Sequence, residues 1–335
     1  MAMFDLSLSD LSTYTADLPE PDDFDAFWSE TITETRNHDL GVGVQPFPTP
    51  WKQYDTYDVT FNGFGGTPVK AWLTVPAGTS GPLPTVVQYH GYSGGRAFPH
   101  LMQLWASAGY AHLSMDTRGQ GYTQGGLTPV TPDASVHAGS SHSPGFMTVG
   151  LTDPATYYYR RVYTDAARML EAAATLPQVD ASKIIITGGS QGGGITLAAS
   201  ALAKLVDVQL VGAAPDVPFL CAFPRALQIT DAHPYGEITR YLAGWRDHVD
   251  TAYRTLSYFD GALLGQRASA PALFSVALMD QVCPPSTVWA AFNRYGSIGN
   301  PDVAKDIKIY SHNGHEGGGG YQTMAQAAFF AELLG

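Results

Sequence analysis

The chain has 335 residues, 44% of them hydrophobic and 14% charged, the composition of a globular protein with a sizeable core and within reach of one large α/β domain. Eighteen Lys and Arg against thirty Asp and Glu leave a formal charge of -12, which repels phosphate backbones and anionic headgroups and argues against nucleic acid as a partner. No run of about 20 apolar residues offers a membrane span, the start "MAMFDLSLSD" has no basic segment leading into an apolar one, and Cys221 and Cys283 stand in no metal-ligand spacing. The expectation is a cytoplasmic protein with two buried thiols and no disulfide, metal or cofactor, contacting neither membrane nor nucleic acid.

In chain order, residues 1 to 50 read as an N-terminal arm. Within it "PDDFDAFWSETITETRNH" sets Phe24, Phe27 and Trp28 on roughly one helical face, a helix docked by its aromatic side. "YDVTFNGFGGTPVKAWLTVP" alternates apolar and polar residues on both sides of a Gly-rich turn and predicts an antiparallel pair that opens the sheet. After it, short β-branched runs such as "TVVQYHGYS", "YAHLSMDTRGQG" and "KIIITGGS" alternate with helical stretches such as "YYYRRVYTDAARMLEAAATL". That rhythm predicts a mostly parallel central sheet flanked by helices, in a single domain over residues 1 to 335. Residues 121 to 154 and 217 to 268 break the rhythm and read as insertions over the active face. "PALFSVALMD" and "KDIKIYSHNGHE" then supply the last strands, and "YQTMAQAAFFAELLG" a closing helix.

Gly188, Gly189, Ser190, Gln191 and Gly192 fit G-x-S-x-G between a strand and a helix. In such an elbow the strand and helix pack so closely beside a strained serine that only small residues fit two before and two after it. The alternative is a Gly-rich turn that binds phosphate or simply packs; the pattern matches neither a dinucleotide fingerprint nor a P-loop. A serine nucleophile needs a base, and the base an orienting carboxylate, in the chain order Ser, acid, His. Asp280, at the end of "ALFSVALMD", is favoured as the acid over Asp216, and His315, in the Gly-rich loop after the last strand, is favoured as the base over His312, for which a ladder or packing role is expected. The backbone N–H groups of Gln191 and Tyr92 are the candidate oxyanion donors, with Tyr92 otherwise a packed wall.

With "HGYSGG", "DTRGQG", "GGSQGGG", "LMDQVCPPST" and "GHEGGGG" in order, the sequence resembles the acetyl xylan esterase and cephalosporin C deacetylase family, carbohydrate esterase family seven, over nearly its whole length. The resemblance implies an α/β-hydrolase fold, Ser190, Asp280 and His315 as catalytic residues, and Tyr92 and Gln191 as the oxyanion hole. It places the family's Arg-Gly-Gln signature on Arg118, Gly119 and Gln120 and its His-Glu signature on His315 and Glu316; for Arg118 a structural role tying loops under the site is expected. It also implies deacetylation of small acetylated sugars and cephalosporin C, with homohexamers as the self-associated form. A broader carboxylesterase, a peptidase or amidase on the same fold, and a non-catalytic carbohydrate-binding protein are the competing readings.

Overall fold

A computed structural model of the chain describes residues 3–121, 131–133 and 145–335. Of the insertion expected over residues 121 to 154, positions 122–130 and 134–144, including His137 and His142, therefore lie outside the described residues.

The chain begins with a short helix α1 (Leu8–Leu11) and the aromatic helix α2 (Phe24–Arg36), which buries Phe24 and Trp28. Its aromatic side docks partly on the later insertion, where Trp28 Nε1 donates to the Tyr258 carbonyl at 3.0 Å and the Phe27 ring meets Tyr258 and Phe259, and partly on Tyr163, whose ring packs against Trp28. Asp23 at the helix start leaves the backbone uncapped and accepts the Tyr258 hydroxyl instead, at 2.5 Å.

One sheet of nine strands organises the rest. Strands β1 (Gly43–Pro46), β2 (Tyr54–Asn62) and β3 (Pro68–Pro76) form an antiparallel flank, with β2 and β3 joined at the Gly-rich turn. The pair expected to open the sheet is therefore preceded by a further strand inside the N-terminal arm. Strands β4 (Leu83–Tyr89) and β5 (Ala111–Met115) follow, with helix α3 (Leu104–Ser107) between them. Helix α4 (Tyr158–Thr175) leads to β6 (Val179–Gly189), helix α5 (Gln191–Leu202) and β7 (Leu210–Asp216). The spatial order is β1-β2-β3-β5-β4-β6-β7-β8-β9, parallel from β5 onward.

The 217 to 268 insertion holds helices α6 (Phe223–Ile229), α7 (Tyr235–Gly244), α8 (Val249–Ser257) and α9 (Gly261–Leu264). Strand β8 (Ala272–Ala277), helix α10 (Pro285–Arg294), strand β9 (Lys305–Tyr310) and helix α11 (Gly319–Leu334) complete the chain. Central strands read as unbroken apolar runs because both faces are covered: Ile184, Ile185 and Ile186 of β6 are all fully buried. This is an α/β-hydrolase fold. Among the described residues, no helix is long and apolar enough to cross a membrane.

Candidate active site

Ser190 sits between β6 and α5 with φ 57 and ψ -121, a backbone conformation that a side-chain-bearing residue adopts only when its surroundings enforce it. The enforcement is visible on each side. A Cβ on Gly188 would stand 2.6 Å from the backbone of Gly192, and one on Gly192 would stand 2.4 Å from the Tyr89 carbonyl oxygen. Strand and helix are thus in backbone contact, as the pentapeptide requires. The turn is closed by Ser190 N–H donating to the Asp216 carbonyl at 3.0 Å and by Phe219 N–H donating to the Ser190 carbonyl at 2.9 Å.

The hydroxyl raised by this turn meets His315. Ser190 Oγ lies 3.0 Å from His315 Nε2, and His315 Nδ1 lies 2.9 Å from Asp280 Oδ2. Asp280 is fully buried, three residues past the end of β8 rather than on it, in a turn where Oδ1 accepts the N–H groups of Val282 and Cys283 at 2.8 and 3.0 Å. Those bonds stop the carboxylate rotating away from the imidazole. Asp216, the alternative acid, instead accepts Gln322 Nε2 and Gln326 Nε2, each at 2.7 Å. Burial pushes the Asp216 carboxyl up to about 7 against the lowering effect of those amides.

The loop carrying His315 is fastened, not loose. Glu316 accepts Asn313 Nδ2 at 2.8 Å and Gly314 N–H at 3.0 Å, and these bonds lower its pKa. Gly318, at φ 86, stacks so tightly on Tyr310 that a Cβ would stand 2.2 Å from the ring. His312 occupies an exposed turn after β9, where it has neither the ladder nor the packing role expected for it.

On the other side of Ser190 the side chains lock together. The Gln191 and Gln120 amides bond to each other twice, at 2.9 and 3.2 Å, and Gln191 also donates to the His90 carbonyl at 3.1 Å and accepts the Tyr159 hydroxyl at 2.9 Å. Gln120 Oε1 accepts Ser93 N–H at 2.6 Å, so the first residue of α5 and the loop after β4 are held in one register. Arg118 donates twice to Asp165 on α4, both at 2.6 Å, while its carbonyl accepts the Tyr158 hydroxyl at 2.5 Å. Gly119, at φ 73, lets the chain turn between Arg118 and Gln120. Tyr92 is wall as well as loop: its hydroxyl donates to Glu237 on α7, 2.8 Å from Oε1, and accepts Phe146 N–H at 2.6 Å. Burial raises the Glu237 pKa, and its bonds from Tyr92 and Met147 N–H pull the other way.

Sequence reasoning named Ser190, Asp280, His315, Tyr92, Gln191, Arg118 and Gln120 but not the buried partners around them, Tyr158, Tyr159, Asp165 and Glu237 among them. Glu237 carries no motif. The Gln191 side chain was passed over in favour of its backbone N–H, and the Cys283 thiol, whose pKa burial pushes far up, lies beside Ser190. Asp280, Cys283 and His315 bring ligand-type atoms within 4.8 Å of one another, yet Asp280 and His315 are already committed to each other and to Ser190, a set suited to moving a proton.

The sequence matches the family model described as acetyl xylan esterase over residues 1–333. It is similar to the solved acetyl xylan esterase from Paenibacillus sp. R4, at 38% identity and a TM-score of 0.89, covering 98% of this chain and 100% of that one. Acetyl xylan esterase 1 from Thermoanaerobacterium sp. JW/SL YS485 is 30% identical with a TM-score of 0.87, covering 99% of this chain and 100% of that chain. Acetyl esterase Axe7A of Xylanibacter ruminicola is 25% identical over 281 residues, 82% of this chain, which spans only 60% of the length of that curated relative. A match running from one end of the chain to the other places it in the acetyl xylan esterase family, as a carboxylic ester hydrolase of the α/β-hydrolase fold.

Proposed function

We propose that the protein removes acetyl groups from small acetylated carbohydrates, acetylated xylo-oligosaccharides first among them and cephalosporin C-like esters besides, through an acetyl-serine intermediate. The observation that carries this reading is the unbroken relay from Ser190 Oγ to His315 Nε2 at 3.0 Å and from His315 Nδ1 to Asp280 Oδ2 at 2.9 Å. With its proton on Nδ1, donated to Asp280, His315 presents a lone pair at Nε2 to the Ser190 hydroxyl. The hydroxyl attacks the acetyl carbonyl carbon as its proton passes to Nε2. The carbonyl oxygen takes the negative charge facing the N–H groups of Gln191 and Tyr92, and Asp280 stabilises the imidazolium.

Collapse of the tetrahedral species breaks the bond to the sugar oxygen, which leaves with the proton from Nε2 and frees the acetyl-enzyme. Water then attacks the acetyl carbonyl, giving its proton to His315, and acetate departs as Ser190 recovers its own. Names of the relatives support an acetyl group as the acyl half.

The experiment is a rate comparison on p-nitrophenyl acetate, butyrate and octanoate with Ser190→Ala as the blank. A steep fall from acetate to octanoate, with the variant slower by about 10³ or more in kcat, is the expected result. Rates level or rising with chain length would turn the reading to a general esterase, and a variant near wild-type turnover would remove Ser190 from the mechanism.

A further inference from the structure

The direction of the Tyr92 N–H is set by the other end of its own peptide. The Gly91 carbonyl accepts Gly94 N–H at 2.9 Å and Gln191 Nε2 at 3.4 Å, and Ser93, at φ 63, completes the turn. Carbonyl and N–H of one planar trans peptide point opposite ways, so whatever holds the Gly91 carbonyl aims the Tyr92 N–H. Among the described residues no acceptor is bonded to that N–H, which leaves it to an oxygen from outside the chain. A closed turn moves as a unit, so its aim depends on how it is rooted in the sheet.

The root is His90, the residue directly after β4. Its carbonyl accepts Gln191 Nε2 at 3.1 Å, which ties the turn to α5. Its imidazole reaches the other way: Nε2 lies 2.8 Å from Ser114 Oγ on β5. Gln88 and Ser114 are register partners, so His90, two residues beyond Gln88, crosses diagonally to the neighbouring strand. A root tied to one element can pivot about that tie; ties to two elements fix it. Ser114 is fully buried and His90 is only 3% exposed. Burial lowers the His90 pKa to about 4, so above that pH the ring is neutral and serves as a hydrogen-bonded strut and not as a charge. It takes no part in the proton relay, which runs through His315.

We propose that His90 is a positioning residue of the reaction: its imidazole, braced on Ser114, roots the 91–94 turn so that the Tyr92 N–H meets the acetyl carbonyl oxygen as it becomes an oxyanion. The proposal rests on the serine-esterase reading above and extends it to a histidine outside the relay. His90 acts only through the turn that it roots.

Three variants test it. Gln at position 90 places an amide about where the imidazole Nε2 stands, whereas Leu fills the space without a polar atom. On p-nitrophenyl acetate, His90→Gln keeps kcat within about threefold of wild type, while His90→Leu and Ser114→Ala lose about tenfold or more with KM within about twofold. The acid limb of the pH–rate profile stays in place in all three. The second readout is inhibition by 1,1,1-trifluoroacetone, to whose carbonyl carbon Ser190 Oγ adds as its proton passes to His315 and the carbonyl oxygen becomes an oxyanion. That inhibition weakens by the same factor as kcat falls. A bond that serves stability alone would lower the melting temperature and move neither readout. Ser114→Ala, the smaller change to the core, reads the same bond should His90→Leu fail to fold. Ser114→Ala with kcat within about twofold of wild type, or trifluoroacetone inhibition unchanged in the slow variants, overturns the proposal. Ser190→Ala run alongside separates the two claims. If it is inactive while Ser114→Ala matches wild type, the positioning role fails and the nucleophile stands; if it stays active, the esterase reading fails first.

Discussion

The two sides of Ser190 are built differently. Toward the loop after β4, the Gln120, Gln191, Tyr159 and His90 groups close a buried hydrogen-bond network, and Tyr92 is tied onward to Glu237. Toward His315, the bonds run around the rim of a cavity of about 150 Å³ and leave its centre open. The contrast fits the task that the proposed mechanism gives each side. Charge that develops on a carbonyl oxygen is stabilised best by donors already in place, since donors that must reorganise give back what they gain. A departing alcohol needs room to enter and leave.

Loosening the closed side should therefore cost turnover. Gln191→Ala removes the amide that joins α5 to the 90–93 loop and leaves the Tyr159 hydroxyl and the Gln120 amide short of a buried partner. The expected loss is about 10² to 10³ in kcat on p-nitrophenyl acetate, comparable to losing one oxyanion donor, with a lower melting temperature. Near wild-type kcat in this variant would show that the network serves stability alone.

The open side should show itself in pH. The Asp216 carboxyl is raised by burial from 3.8 to about 7, so between those values the folded chain holds a proton that the unfolded chain has released. Stability therefore falls as pH rises through that window, and the full penalty is reached above about pH 7. The shift corresponds to on the order of 2 kcal/mol once its partial opening to the cavity is allowed for. Urea unfolding from pH 4 to 8 should give a wild-type minus Asp216→Asn difference that grows more negative with pH. A flat difference would mean the carboxyl is not held as the structure indicates.

The smallest effect is expected at the far end of the closed side. Glu237→Gln keeps an acceptor for the Tyr92 hydroxyl but loses the charge, and kcat should fall about tenfold or less with KM nearly unchanged. A change in KM alone would place Glu237 in substrate binding instead of loop positioning.

What the sequence made legible follows the same division. The elbow was readable because backbone contact at Gly188 and Gly192 forbids side chains there, and that prohibition is written locally. Asp280 and His315 were readable from chain order, since each follows one of the last two strands of the sheet. Glu237 was not, because it lies 145 positions from Tyr92 and nothing near it in sequence announces the bond. Strand β1 was missed because four residues beginning with Gly43 and ending in Pro46, on an edge, show no alternation to read. The role of the Gln191 amide was hidden by its own backbone, which alone had been assigned a function. Asp216 was weighed as an acid and set aside, while its two amide partners come from α11, at the opposite end of the motif order.

The most direct test of the account is to trap the intermediate. Mixing the protein with p-nitrophenyl acetate, quenching in acid within the first turnover and mapping the peptides by mass should find one acetyl group, on Ser190, appearing with a burst of p-nitrophenol. An acetyl group on another residue, or steady turnover with no adduct and no burst even when deacetylation is slowed by low temperature, would contradict it.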